Sequence, residues 1–150
     1  MGQALRLPLL AVWARIVRVN GCSMQNCEDV ESALYAAIEL LRTHVRWRPG
    51  KDVVHLRKRQ RLGHLPVGAT MESYNELIQG LVSSRQNLVY AYRFRRKLYG
   101  VVTGKWDERE WLAIFTAAGV METAFPPDDV QFYVRQNDMR LLGTVGEIVG

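Results

Sequence analysis

The spacing of apolar residues changes at Asn87, and this change restricts the fold more than any other feature of the chain. Before it, apolar residues recur every three or four positions, as on one face of an amphipathic helix. After it, Leu88, Tyr90, Tyr92 and Phe94 alternate with other residues, which is typical of an aromatic-rich strand. The sequence therefore predicts helices in the first part of the chain and strands in the second.

Three helices are predicted before this change. Asn26 or Asp29 can cap the first, and the Pro49-Gly50 pair ends it. A second helix is predicted over roughly Asp52–Leu62, and Thr70 is placed to cap a third. Each carries an apolar stripe, so each has a side that another layer must cover.

Four strands are predicted: the aromatic one just described, then Lys97–Thr103, Glu110–Thr116 and Gly119–Phe125. Their connections are short, whereas parallel neighbours need long crossover connections. We therefore predict an α+β fold in which N-terminal helices pack on a four-stranded antiparallel β-meander. Asp128 can cap a short helix beyond the sheet, and the last residues, 141–149, fit either a further helix or an edge strand.

A chain of 150 residues, 48% of them hydrophobic, fits a single domain, which we place at residues 24–150. Residues 1–23 are interpreted as an N-terminal extension. The sequence leaves open whether they are disordered, touch a membrane surface or precede a true start at Met24. Their apolar run is too short to span a bilayer. Cys22 and Cys27 have neither the number nor the spacing for a zinc site or a disulfide framework, which favours a reduced, cytoplasmic setting.

The net charge of +5 is unevenly distributed. Arg42–Arg61 contains eight basic residues against one acid, and Arg93–Lys105 contains five basic residues and no acid. Residues 107–150 contain eight acids and three bases. A cationic middle of this kind attracts nucleic acid, although some of its arginines can instead pair with the acidic tail.

The segment from His55 to His64 adds proton-transfer groups to this charge. His55, Lys58 and Arg59 are three and four positions apart, so on a helix they share one face. Histidine moves protons near neutral pH, and cations stabilise a phosphorane, which together suit RNA cleavage without a metal. A partly buried structural histidine at position 55, and a merely exposed one at position 64, are the plainer alternatives.

The same residues carry a resemblance to a known group of proteins. His55 is followed one helical turn later by the basic Arg59, and a late strand ends in Thr123-Ala-Phe-Pro126. Over roughly residues 53–129 the chain resembles the barnase, EndoU, colicin E5/D and RelE-like (BECR) nuclease superfamily, in particular its phage-associated and toxin-like members. Gln60 stands where many members have a second histidine, so His64 is the candidate substitute.

The resemblance implies a small metal-independent endoribonuclease, encoded by a prophage or acting as a toxin, that uses no cofactor and no metal. Its RNA would be single-stranded or transfer RNA, and an acidic antitoxin or immunity protein would be a second partner. The candidate catalytic residues are His55, Lys58, Arg59, His64 and Thr123. The candidate nucleic-acid-binding residues are Arg57, Arg61, Arg93, Arg95, Arg96 and Tyr92.

Two further readings of the sequence stay open. One is a non-catalytic RNA-binding or ribosome-associated module, and the other is a mobile-element protein whose basic surface binds an acidic protein partner. Within the nuclease reading, Glu122 is an alternative carboxylate base. Thr123 is expected to bind a phosphate oxygen or to orient the substrate.

Overall fold

The computed structural model describes residues 24–149, which belong to two compact units divided after Ser32. In the first unit, residues 24–32 are helical. The second unit contains everything from Ala33 onward, including all the residues considered below. The expectations for residues 1–23 lie outside the described residues, and a single domain over residues 24–150 stays a prediction.

The predicted helices are present, but two boundaries differ from the prediction: the first helix ends at Thr43, before Pro49-Gly50, and Asp129 caps the fourth in place of Asp128. Thr70 caps the third, because its side chain accepts from the backbone N–H of Ser73 while the Ser73 hydroxyl accepts from the N–H of Thr70. Asp129 caps the fourth in the same way, by accepting from the N–H of Phe132. The helices are α1 (Met24–Thr43), α2 (Lys51–Arg61), α3 (Met71–Ser83), α4 (Val130–Gln136) and α5 (Val145–Val149).

The strands form one mixed sheet of six. They are β1 (Arg46–Trp47), β2 (Leu88–Phe94), β3 (Lys97–Trp106), β4 (Arg109–Thr116), β5 (Val120–Phe125) and β6 (Arg140–Thr144). Their order is β1-β5-β4-β3-β2-β6, in which β1 is parallel to β5 and all other neighbours are antiparallel.

The α+β class and the order of helices before the main strands are as predicted, but a four-stranded antiparallel meander is wrong. Strands β2 to β5 form the consecutive antiparallel part, and β1 and β6 extend it at both edges. β1 has two residues, too few to show an alternating pattern in the sequence. The tail forms both of the elements that the sequence offered as alternatives, β6 followed by α5.

Both faces of this sheet are covered. On one face, Leu34 of α1 packs where Gly100 leaves room for the Phe115 ring; a Cβ on Gly100 would lie 2.4 Å from that ring. On the other face, Tyr90 and Val101 belong to a cluster completed by buried residues of α4. The helices therefore cover the sheet on both faces.

The edge at β5 is shared by a strand and a helix. β1 pairs with β5 only at Val120 and Met121. Beyond Met121, α2 contacts β5, and the buried hydroxyl of Tyr74 donates to the carbonyl oxygen of Ala124 at 2.5 Å.

None of the helices in residues 24–149 combines the length and apolar character needed to cross a bilayer.

Candidate active site

The contact between α2 and β5 brings the residues of the candidate site together, because side chains on one face are spaced nearly equally along the helix and along the strand. His55 and Arg59 are four residues apart, about 6 Å along a helix axis. Thr123 and Phe125 are two residues apart, about 6.6 Å along a strand. Accordingly Nδ1 of His55 lies 3.3 Å from Oγ1 of Thr123, and the Arg59 guanidinium lies 5.5 Å from the centre of the Phe125 ring.

The ring of His55 is held on a second side by an aromatic residue. It stacks on Trp47, with ring centroids 5.5 Å apart and planes inclined by 29°. Trp47 is fixed in turn, since its indole Nε1 donates to Oδ1 of Asn75 at 2.9 Å. Neither Trp47 nor Asn75 was predicted as a site residue, because the first helix was expected to continue to Pro49-Gly50 and so to include Trp47. His55 is half-buried and is oriented by contacts from two other elements, β1 and β5.

The surroundings of His55 favour its neutral form. Burial lowers the pKa of His55 below 6.5, and the positive charges of Arg59, Lys58 and Lys51 lower this pKa further. Glu122 acts in the opposite sense and raises the pKa. No hydrogen bond within residues 28–149 involves Nε2 of His55, so when Nδ1 donates to Thr123 this second nitrogen is free to accept a proton.

Arg59 is a buried cation, with only 4% of its surface exposed. Its Nη1 donates to Nδ1 of His64 at 3.0 Å, and its Nε is buried without a partner. Among the described residues no carboxylate pairs with it. Burial lowers the pKa of Arg59, and the charge of Arg61 adds to this effect. A buried charge without a counterion is costly, and a bound anion would offset that cost.

His64 faces a different surface from His55. Because its Nδ1 accepts from Arg59, the proton of the neutral ring lies on Nε2. Burial lowers the pKa of His64, as do Arg59 and Arg109, whereas Asp128 raises it. The ring lines a groove of about 650 Å³ whose wall also includes Arg109 and Asp128. Arg59 bonds to His64 and acts on His55 only through its charge, and no direct hydrogen bond joins the two histidines.

Gln60 has a structural contact that accounts for its presence. Its amide Nε2 donates to the carbonyl oxygens of Val67 and Ala69, at 2.8 and 3.1 Å. These bonds fix the loop between α2 and α3, so Gln60 serves that loop rather than His55.

The other predicted residues of α2 are exposed. Arg57, Lys58 and Arg61 all reach solvent, and of these Lys58 is close enough to depress the pKa of His55. Lys51 also lowers the pKa of His55. It is not among the residues predicted from the sequence, although its position four residues before His55 places it on the same helix face.

Glu122, the alternative base, lies at the edge of this site. Its Oε1 accepts from Nη2 of Arg48 at 2.7 Å, across the junction of β1 and β5. This ion pair engages one of the two carboxylate oxygens, whereas Nε2 of His55 has no hydrogen-bond partner within residues 28–149.

The remaining predicted residues lie on the β2–β3 hairpin. Strand alternation places Tyr92 on the sheet face that also carries Thr123, and Arg93 on the opposite face. Arg95 and Arg96 form the turn of the hairpin. The structure therefore brings His55, Arg59 and Thr123 together, places Lys58 beside them, and separates Arg93 from the site face.

Within the described part of the chain, no three His, Cys, Asp or Glu side chains converge as metal ligands. Comparison with known proteins gives no relative, since no family model, no curated protein and no solved structure matches the chain.

Proposed function

We propose that this protein cleaves RNA without a metal ion, with His55 as the general base. The observation that carries the proposal is the 3.3 Å contact between His55 Nδ1 and Thr123 Oγ1. With the ring proton on Nδ1, where it donates to Thr123, Nε2 is the proton-accepting atom of a half-buried, neutral imidazole beside two exposed lysines. An imidazole that is neutral at pH 7 can accept the proton of a 2′-hydroxyl.

In the proposed reaction, Nε2 of His55 takes the 2′-hydroxyl proton as the 2′ oxygen attacks phosphorus. The bond to the 5′ oxygen then breaks, and a 2′,3′-cyclic phosphate remains. The departing oxygen takes a proton from solvent, because His64, the acid expected from the sequence, has a lowered pKa and faces a different surface from His55. Thr123 is a positioning residue that keeps the proton on Nδ1 of His55.

Lys58 and Arg59 act as electrostatic stabilisers in this scheme, and Lys51 joins them. Each lies close enough to His55 to lower its pKa, so each is also close to a phosphate held at that ring. Arg59 has a further reason to attract an anion, because its buried guanidinium has no carboxylate partner among the described residues. Arg57 and Arg61 would contact the RNA backbone farther along α2.

The test is an incubation of purified protein with total RNA in EDTA. Wild type should leave 2′,3′-cyclic phosphate ends, and His55→Ala should lose about 10²- to 10⁴-fold in rate. Thr123→Val should slow cleavage while Thr123→Ser retains most of it. His44→Ala is the matched control, since His44 is exposed and outside the site. Cleavage that survives His55→Ala would refute the proposal.

A second candidate is a non-catalytic RNA-binding or ribosome-associated module. It is favoured by the contact between Arg59 and His64, which separates the second histidine from the first. Tight RNA binding without strand scission in the same incubation would support it. If the protein does not bind RNA even at low salt, the basic surface serves an acidic protein partner instead. The toxin or prophage setting and a cytoplasmic location rest on the resemblance and the composition alone.

A further inference from the structure

The turn of the β2–β3 hairpin carries two arginines where a turn of this kind favours small residues. Arg95 and Arg96 have φ values of 50° and 68°. A two-residue hairpin turn with both φ values positive is ordinarily Asn-Gly or Asp-Gly, because residues with larger side chains are strained there. The β3–β4 hairpin has the same turn at Asp107 and Glu108, so the side chains beside the Arg95-Arg96 turn, and not its strain alone, distinguish it.

Aromatic side chains lie on the two strands next to this turn. Tyr92 lies 6.0 Å from Tyr99 and 6.1 Å from Phe94, measured between ring centroids. Phe94 is 48% exposed, and the guanidinium of Arg95 lies 5.2 Å from the centre of its ring. Tyr99, Tyr92, Phe94 and Arg95 therefore form a continuous series of side chains, the hairpin platform. The inner pair, Tyr99 and Tyr92, is tilted by 39°, and the outer part, from Tyr92 through Phe94, is a stack that ends in a planar cation.

The hairpin platform opens on the same sheet face as Thr123. Tyr92 pairs with Tyr99 and Tyr99 with Thr116, whereas Thr123 pairs with Ile114, two residues before Thr116 on the same strand. From strand and residue spacings, Tyr99 and Thr123 are about 12 Å apart. A short extended segment of nucleic acid is long enough to cover this distance, and it would pass Tyr133 of α4, which packs on the same cluster as Tyr92 and Tyr99.

We propose that the hairpin platform binds unpaired bases of the RNA whose phosphate lies at His55, so that the substrate is single-stranded. This inference rests on the proposed function. Unpaired bases stack on aromatic rings and on arginine planes, whereas bases within a duplex are already stacked and present mainly their backbone. Phe94 and Arg95 supply both kinds of surface at the exposed end of the stack.

The test compares single-stranded and duplex RNA by fluorescence anisotropy, using His55→Ala protein so that cleavage does not interfere. Phe94→Leu removes a ring and Arg95→Lys removes the planar guanidinium, and both keep the net charge. Each should weaken single-strand binding roughly tenfold and leave duplex binding unchanged. Phe132→Leu is the matched control, because Phe132 is 56% exposed on α4, away from the hairpin.

The outcomes separate this inference from the proposed function. If both variants lose single-strand affinity, the platform is supported, whether or not wild type cleaves RNA. If both bind like the parent protein, or if wild type binds duplex as tightly as single strands, the platform is refuted even where cleavage by wild type is established.

Discussion

Replacing Tyr74 with phenylalanine should destabilise the protein by removing a single buried hydrogen bond. The Tyr74 hydroxyl donates to the carbonyl oxygen of Ala124, and the side chain is fully buried. Phenylalanine keeps the ring that packs 5.5 Å from Trp47, so no cavity forms beyond the lost oxygen. The cost is then that of an unpaired buried acceptor, about 1–3 kcal/mol.

Thermal and urea unfolding measure this change. For a chain of this size about 2 kcal/mol corresponds to a fall in Tm of roughly 6 °C. Tyr90→Phe is the control, since Tyr90 is only 4% exposed and its hydroxyl makes no hydrogen bond within residues 28–149. We expect that control to change the free energy of unfolding by less than about 0.5 kcal/mol. Equal effects of the two substitutions would refute the argument, because they would show that the carbonyl of Ala124 does not depend on Tyr74.

Three further changes have defined outcomes. Burial lowers the folded-state pKa of His55 and of His64 below the ordinary histidine value of 6.5, so the unfolded chain binds these protons more strongly and stability should be lost as pH falls below 6.5. Urea unfolding of the double variant His55→Gln/His64→Gln should show a weaker pH dependence than wild type. Gln60→Ala should free the loop after α2, which would show faster amide exchange and faster proteolysis. Unchanged exchange and proteolysis would contradict the role of Gln60 in fixing this loop. Gly100→Ala should cost about 1–3 kcal/mol in urea unfolding, because its Cβ would lie 2.4 Å from the Phe115 ring, and a neutral result would contradict that packing.

The sequence predicted those parts of the fold whose pattern is local. The Thr70 cap and the three- and four-residue spacing of the apolar stripe of α3 are visible in the sequence. The aromatic alternation of β2 is visible too. β1 escaped prediction because two residues carry no period, and its parallel partner is more than seventy positions away in the chain. Pairing at that distance is decided by tertiary packing, which a local pattern does not report.

The candidate site was predictable to a similar degree. His55 and Thr123 were both candidates from the same resemblance, and the structure places Nδ1 of His55 3.3 Å from Oγ1 of Thr123. Arg59 was expected on a phosphate-binding face shared with His55, and its burial against Phe125 could not be read from helix spacing. Trp47 was missed because its contact with His55 depends on where β1 joins the sheet.

The position of α2 beside β5 has a consequence for the fate of damaged molecules. A strand edge left bare recruits strands from other chains and starts aggregation. Here α2, which covers the outer part of β5, also carries His55. A mutation that separates α2 from β5 would therefore disrupt the candidate site and also expose an unpaired strand edge. Variants of this helix should therefore lose the proposed activity and their solubility together.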